Sequence, residues 1–173
     1  MKVLAFSTSN SSTSINKKLA TYAANLIEGA EVEVLDLNDF EMPFYSSDKE
    51  AQEGVPQLAK DFISKIESAE ILVVSQAEHN GTYPAAFKNI LDWSSRATSK
   101  LFADKPTVLL ATSPGPRGAS TALEIAQGRW PYLGAVVKGS FCLPSFYENF
   151  DVAENKIKNE ELNNQLKLII NNI

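Results

Sequence analysis

Short aliphatic runs alternate along the chain with segments of helical period, and this alternation restricts the fold more than any other feature. Five strands are predicted, over Lys2–Ser7, Glu31–Asp36, Glu70–Ser75, Thr107–Thr112 and Ala135–Cys142. The third and fourth are almost continuously apolar, the pattern of strands covered by helices on both faces. Between the strands, Ile15, Leu19, Tyr22 and Leu26 recur at the 3.6-residue period, as do Leu58, Phe62 and Ile66. A third helix opens at Pro84, whose fixed φ suits a first turn, and continues through Phe87, Ile90 and Leu91. A fourth covers roughly Ala119 to Arg129 before Pro131 stops it, and a last one carries Leu162, Leu166, Ile169 and Ile170. The stretch 44–56 reads as an excursion that either folds over a site or bridges two elements.

These elements predict an α/β fold: a doubly wound, flavodoxin-like, five-stranded parallel sheet in the order 2-1-3-4-5 with helices on both faces. The length of 173 residues and the 44% apolar content fit a single domain around one substantial core. Ligands of such sheets sit beyond the carboxyl ends of the strands, where the winding reverses.

Composition removes several function classes. A net charge of −5 with no cluster of Lys or Arg argues against a nucleic-acid partner. The apolar start, Met1 to Phe6, is too short for a signal peptide or a membrane span, so a cytoplasmic protein without a membrane partner is expected. A single cysteine, Cys142, permits no internal disulfide and is read as a buried structural thiol. With one histidine, His79, the chain lacks the ligands of a His/Cys zinc site, and no metal is expected.

Three loops leave the strand ends near the winding switch. The first, Ser7 to Asn16, is a run of hydroxyls and amides leading straight into a helix. Its small donors, with the free N–H groups and positive dipole end of that helix, suit a phosphate dianion; an ordinary Ser-rich N-cap is the alternative reading. The second reads Gln76-Ala77-Glu78-His79-Asn80-Gly81-Thr82-Tyr83-Pro84, and the third Ser113-Pro114-Gly115-Pro116-Arg117-Gly118-Ala119. Gly81, Gly115 and Gly118 would let backbone approach a flat ligand closely.

The spacing Ser11-x-x-Ser14-x-Asn16, the run Glu78 to Pro84 and the following Phe87-Lys88-Asn89-Ile90-Leu91-Asp92-Trp93 resemble the NADPH-dependent FMN reductase family. The resemblance covers about the first 140 residues. It implies FMN and NADPH or NADH as cofactors. The implied reaction moves a hydride from the nicotinamide to FMN, and then electrons to a second small molecule, a quinone or free flavin, in ping-pong order. Carried over by position, Ser9, Ser11, Ser14, Ile15 and Asn16 surround the FMN phosphate with Lys17 nearby. Glu78, His79, Asn80 and Gly81 line the flavin ring, and Ser113, Gly115, Arg117 and Gly118 complete the far wall. Tyr83, Tyr132, Phe146 and Tyr147 are candidate aromatic walls. No side chain is assigned a catalytic role, because the flavin carries the chemistry. Family members are commonly dimers, and Trp93, Arg96, Trp130 and Tyr132 would fit a homodimer interface.

The chain departs from the family pattern at five places. The first-loop arginine is Ser11, its Gly-Ser start is Thr8-Ser9, the second-loop proline is Ala77, its tyrosine is His79, and the second third-loop glycine is Pro116. Losing the arginine implies weaker FMN binding. Two alternatives stay open on these residues. A flavodoxin-type electron carrier shares the sheet, although its phosphate loop normally contains glycine and none lies between Ser7 and Asn16. The other is a flavin-free protein that kept the fold while its site decayed. A hydrolase is disfavoured, since no Gly-x-Ser-x-Gly elbow is present.

Overall fold

A computed structural model describes residues 1–173. Five parallel strands, β1 (Lys2–Ser7), β2 (Glu31–Val34), β3 (Ile71–Gln76), β4 (Pro106–Thr112) and β5 (Val136–Leu143), form one sheet in the order β2-β1-β3-β4-β5. This is the flavodoxin-like order that the alternation predicts.

Period-two alternation splits the central strands between two cores. Leu4, Phe6, Leu72, Val74 and Leu109 face one side, where helices α3 (Gln57–Ser68), α4 (Ala85–Ser94) and α5 (Ser120–Arg129) supply Phe62, Ile66, Phe87, Ile90 and Leu123. Val3, Ala5, Ile71, Val73, Val108 and Leu110 face the other, against α1 (Ile15–Asn25) and α7 (Glu160–Ile170). The small residues Ala20, Ala23 and Ala24 bring α1 close onto the strands that carry the site loops.

Several boundaries move from the sequence expectation. β2 ends at Val34, because the Asp36 carboxylate accepts the Asn38 N–H (3.0 Å) and turns the chain into a 3₁₀ segment, Leu37–Phe40. The excursion 44–56 holds a helix, α2 (Ser47–Glu53), capped by Ser46. It docks on α4: the Tyr45 ring meets Trp93 edge-on at 5.0 Å, and the Tyr45 N–H donates to Asn89 Oδ1 (2.9 Å). After β5 a one-turn helix, α6 (Phe146–Asn149), and a short antiparallel hairpin, β6 (Phe150–Asp151) with β7 (Lys156–Ile157), precede α7. The sequence reading has only a polar connection there.

Two of the proposed interface residues are core. Trp93 is 1% exposed and donates its indole N–H to Pro43 O (2.7 Å), while Trp130 is fully buried and stacks on Phe102 at 4.3 Å. Arg96, itself exposed, pairs with Glu50 on α2 (2.9 Å), and Tyr132 is the most exposed of the four, at 76%. Tyr83 and Phe146 are likewise interior side chains rather than ligand walls. No helix is long and apolar enough to cross a membrane.

Candidate flavin site

The first loop is pinned before it turns. Thr8 N–H donates to Ser75 O (3.0 Å), and Thr8 Oγ1 accepts the Ala77 N–H (2.8 Å), fixing the loop to the end of β3. Ser14 caps α1 by accepting the Lys17 N–H (3.1 Å) and shares a hydrogen bond with Ser7 Oγ (3.2 Å). Ser9 Oγ accepts the Ser11 N–H, and Ser11 Oγ accepts the Thr13 N–H. The N–H groups of Ser9, Asn10 and Ser12 meet no acceptor in the chain, and those of Ile15 and Asn16 lie in the first helical turn, which has no i−4 carbonyl. Unspent donors at the positive end of a helix are the partners a phosphate requires, so the loop fits that group.

Two side chains carried over to the phosphate are engaged elsewhere. Asn16 is 4% exposed; its Nδ2 donates to Thr112 O (3.0 Å), while Oδ1 accepts from Ser75 Oγ (2.7 Å) and the Thr112 N–H (3.0 Å). The amide therefore staples the ends of β3 and β4 under the site, leaving only its backbone N–H for a ligand. Lys17 Nζ is 2.6 Å from Asp36 Oδ2, and this contact holds the Asp36 carboxyl below its usual range. The cradle thus holds neutral donors, with no uncommitted cation among its walls.

The second loop is a two-residue hairpin. His79 and Thr82 exchange backbone hydrogen bonds (2.9 and 3.2 Å), and Asn80 and Gly81 take positive φ at its tip, as a type I′ turn requires. Glu78 points away from that tip. Its Oε2 accepts the Ala122 N–H of α5 (3.1 Å), and Oε1 lies 3.6 Å from the Arg117 guanidinium. Helix α5 has no cap of its own, since Ala119 stands at its N-cap in the left-handed region. Glu78 fills that role from a different loop and ties the two walls of the site together. Glu78→Ala is expected to lower stability by about 1.5–3 kcal/mol in urea unfolding, the cost of losing a hydrogen bond to a charged acceptor. Glu78→Gln, which can still accept from Ala122, is expected to lose less than half of that.

The third loop is braced from behind: Phe146 N–H donates to Ser113 O and Ser145 N–H to Gly115 O, both at 3.0 Å. The N–H groups of Ser113, Gly115 and Arg117 are unspent, while Pro114 and Pro116 have none to offer. Gly118 serves packing rather than ligand approach. At φ +57°, a Cβ there would stand 2.6 Å from Cys142 Sγ and 2.8 Å from Leu143 O. The Cys142 thiol donates to Gly118 O (3.2 Å), and burial, then the Glu78 charge, pushes its pKa up, so it is an unreactive packing thiol. Arg117 is 77% exposed.

These loops enclose a cleft of about 250 Å³. It brings together Ser9, Ser11, Ser14, Ile15, Asn16, Glu78, His79 and Ser113 of the expected residues. Asn80, Gly81, Gly115, Arg117 and Gly118 lie outside its walls. Thr13, Ala77, Thr112 and Pro114 line it unforeseen, and of the four candidate aromatics only Tyr147 does so. Thr13 belongs to the hydroxyl run and was legible as such, whereas nothing local marks Ala77, Thr112 or Pro114.

A parallel sheet in this order, with a loop of unspent donors at its first crossover and a cleft at the switch point, defines a flavodoxin-like protein. The model of the family described as NADPH-dependent FMN reductase matches residues 1–147, and the chain belongs to that family. It is therefore an oxidoreductase of a class that uses FMN and NAD(P)H. The chain is 29% identical over 177 residues to an NADPH:quinone oxidoreductase of Arabidopsis thaliana, covering 98% of this chain and 88% of the relative. It is 30% identical over 140 residues to a 2-hydroxy-1,4-benzoquinone reductase of Burkholderia sp, covering 80% and 73%. Among solved structures, the flavoenzyme NAD(P)H:(acceptor) oxidoreductase FerB of Paracoccus denitrificans superposes with a TM-score of 0.74, at 24% identity, over 99% of this chain and 96% of that one.

Proposed function

We propose that the chain oxidises NAD(P)H through FMN held in this cleft and delivers the electrons to a second small molecule, a quinone or free flavin, in ping-pong order. The observation that carries this reading is the set of unspent N–H groups at Ser9, Ile15 and Asn16, residues that line a cleft walled on its other sides by Glu78, His79 and Ser113. When bound, FMN supplies the two-electron chemistry. The protein's part is to hold and orient. Backbone donors and the Ser9, Ser11 and Thr13 hydroxyls take the phosphate, Asn16 keeps the β3 and β4 ends in register, and Glu78 sets the second and third loops against each other. The unspent Ser113 N–H, on a residue of the far wall, is a fixed dipole of the kind that stabilises charge developing in a site. The Tyr147 ring, 62% exposed, lines the cleft and offers an aromatic surface there.

Initial rates of NADPH and NADH oxidation test the reading. Parallel double-reciprocal lines are expected when nicotinamide and quinone are varied against each other in the presence of FMN. Absence of turnover with both nicotinamides at saturating FMN contradicts it.

The neutral cradle makes a further prediction. Ser11→Arg, at the position where the family pattern has arginine, is expected to tighten FMN binding about tenfold, since one charge-assisted hydrogen bond contributes about 1.5–3 kcal/mol. Titration calorimetry at two salt concentrations checks it: the variant gains salt dependence that the parent lacks.

We also propose a homodimeric, cytoplasmic working form. Its support is the exposed Tyr132, with the Arg129 guanidinium 5.7 Å above the ring, since aromatic residues and arginine are enriched at interface centres. Sedimentation giving the mass of one chain at micromolar concentration would remove the dimer.

A further inference from the structure

Asn80 is the one asparagine of the chain followed by glycine; every other asparagine precedes a residue that carries a side chain. The pair forms the tip of the second-loop hairpin, at φ +53° and +78°. Asn80 is exposed, its carboxamide makes no hydrogen bond within the chain, and neither its N–H nor that of Gly81 donates to an acceptor there. Beyond its chain neighbours, nothing lies within 4 Å of the position a Gly81 Cβ would take. Only the two hydrogen bonds between His79 and Thr82 close the tip. Asn16 and Asn89 are the contrast. Both are buried, and each carboxamide is tied by three hydrogen bonds, those of Asn89 running to the Tyr45 N–H and to the carbonyls of Met42 and Pro43.

A free carboxamide next to an unhindered peptide nitrogen can react with it. The Gly81 nitrogen attacks Asn80 Cγ and forms a five-membered imide; the Cγ–Nδ2 bond breaks, and ammonia leaves with the proton that Gly81 gave up. Water then opens the ring at either carbonyl, so the net change is amide plus water to acid plus ammonia, with nothing oxidised or reduced. Opening at Cγ–N gives an ordinary aspartate. Opening at the other carbonyl gives an isoaspartate, in which the main chain runs through Cβ and is one atom longer. Glycine allows the attack because it has no Cβ to hinder the approach. The type I′ backbone turns the Gly81 nitrogen away from the carboxamide, so ring closure waits on transient opening of the tip. Two hydrogen bonds are little to hold it shut.

We propose that Asn80–Gly81 is a self-modification site, where the folded protein converts Asn80 irreversibly to aspartate and isoaspartate and thereby unpairs the second loop. The extra main-chain atom of the isoaspartate no longer fits a two-residue turn, so the His79–Thr82 pair is lost. Peptide mass spectrometry of folded protein held in mildly alkaline buffer tests the site. The Asn80 peptide is expected to give way to two acidic products, the isoaspartate the larger, before any other asparagine converts. Hydrogen exchange at the His79 and Thr82 amides is expected to speed up as the isoaspartate accumulates. Asn80→Gly, which keeps a positive φ without the amide, is expected to stop the conversion. Asn80→Asp adds the charge without the extra atom and is expected to keep both amides protected. Conversion first at another asparagine overturns the site. So does an unmodified Asn80 after about ten times the period in which the urea-unfolded chain converts, because the turn then locks the pair. Unchanged protection of His79 and Thr82 in isoaspartyl protein overturns the loss of pairing. If Asn80→Gly does not fold, the time course of the parent decides alone. One more effect rests on the flavin reading: with a carboxylate beside His79, which lines the cleft, converted protein is expected to bind FMN about threefold more weakly. A parent that binds no FMN refutes that reading, and the mass spectrum still decides the modification.

Discussion

Asn16→Ala is expected to lower the stability of the protein by about 3–5 kcal/mol, measured by urea unfolding, because three buried hydrogen bonds are lost together and each orphaned buried group costs about 1–3 kcal/mol. The groups left behind are the Ser75 hydroxyl, the Thr112 N–H and the Thr112 carbonyl, all at the carboxyl ends of neighbouring strands. The cradle sits directly above them, so FMN affinity should fall with stability. Asn16→Asp is expected to be no milder, since it retains the acceptor, loses the donor and buries a charge. An Asn16→Ala protein as stable as the parent, with FMN affinity lost, would show instead that the amide acts on the ligand directly.

Gly118→Ala is the second large effect, expected to cost about 2–4 kcal/mol from a backbone clash combined with a left-handed φ that alanine adopts reluctantly. The clash involves Leu143 O as well as Cys142 Sγ, so Cys142→Ala added to Gly118→Ala relieves it only in part. Gly115→Ala is the contrast. A Cβ there meets nothing nearer than Ser113 Oγ at 3.9 Å, and φ is not positive, so a change of less than about 1 kcal/mol is expected. Thermal unfolding of both variants checks the pair. Equal losses would mean that the two glycines serve the same purpose, as their sequence context suggests.

That contrast shows where sequence and structure part. Strand order and the three site loops were legible because aliphatic runs and 3.6-residue stripes are local patterns that determine which face of each element is buried. The hydroxyl run from Ser9 to Ser14 was legible as a cluster of donors for the same reason: they belong to one loop and the helix it caps. What could not be read were partners chosen across the fold. Asn16 meets Thr112 from 96 residues away, and Glu78 reaches Ala122 from 44. Lys17 turns to Asp36 rather than to the cradle, and Trp93 and Trp130 go to the core although their spacing also fits an interface. Helix α2 is too short, and its stretch too polar, to show a buried stripe. The strands of the β6–β7 hairpin have two residues each, below the length at which alternation appears.

The central claim is that the first loop holds a phosphate dianion with backbone N–H groups and hydroxyls alone. Calorimetric titration of the folded protein with FMN and, separately, with riboflavin tests it most directly. One FMN per chain is predicted, bound about a hundredfold more tightly than riboflavin, the equivalent of about two charge-assisted hydrogen bonds. Equal affinities for the two flavins, or no heat with FMN at high excess, would contradict it.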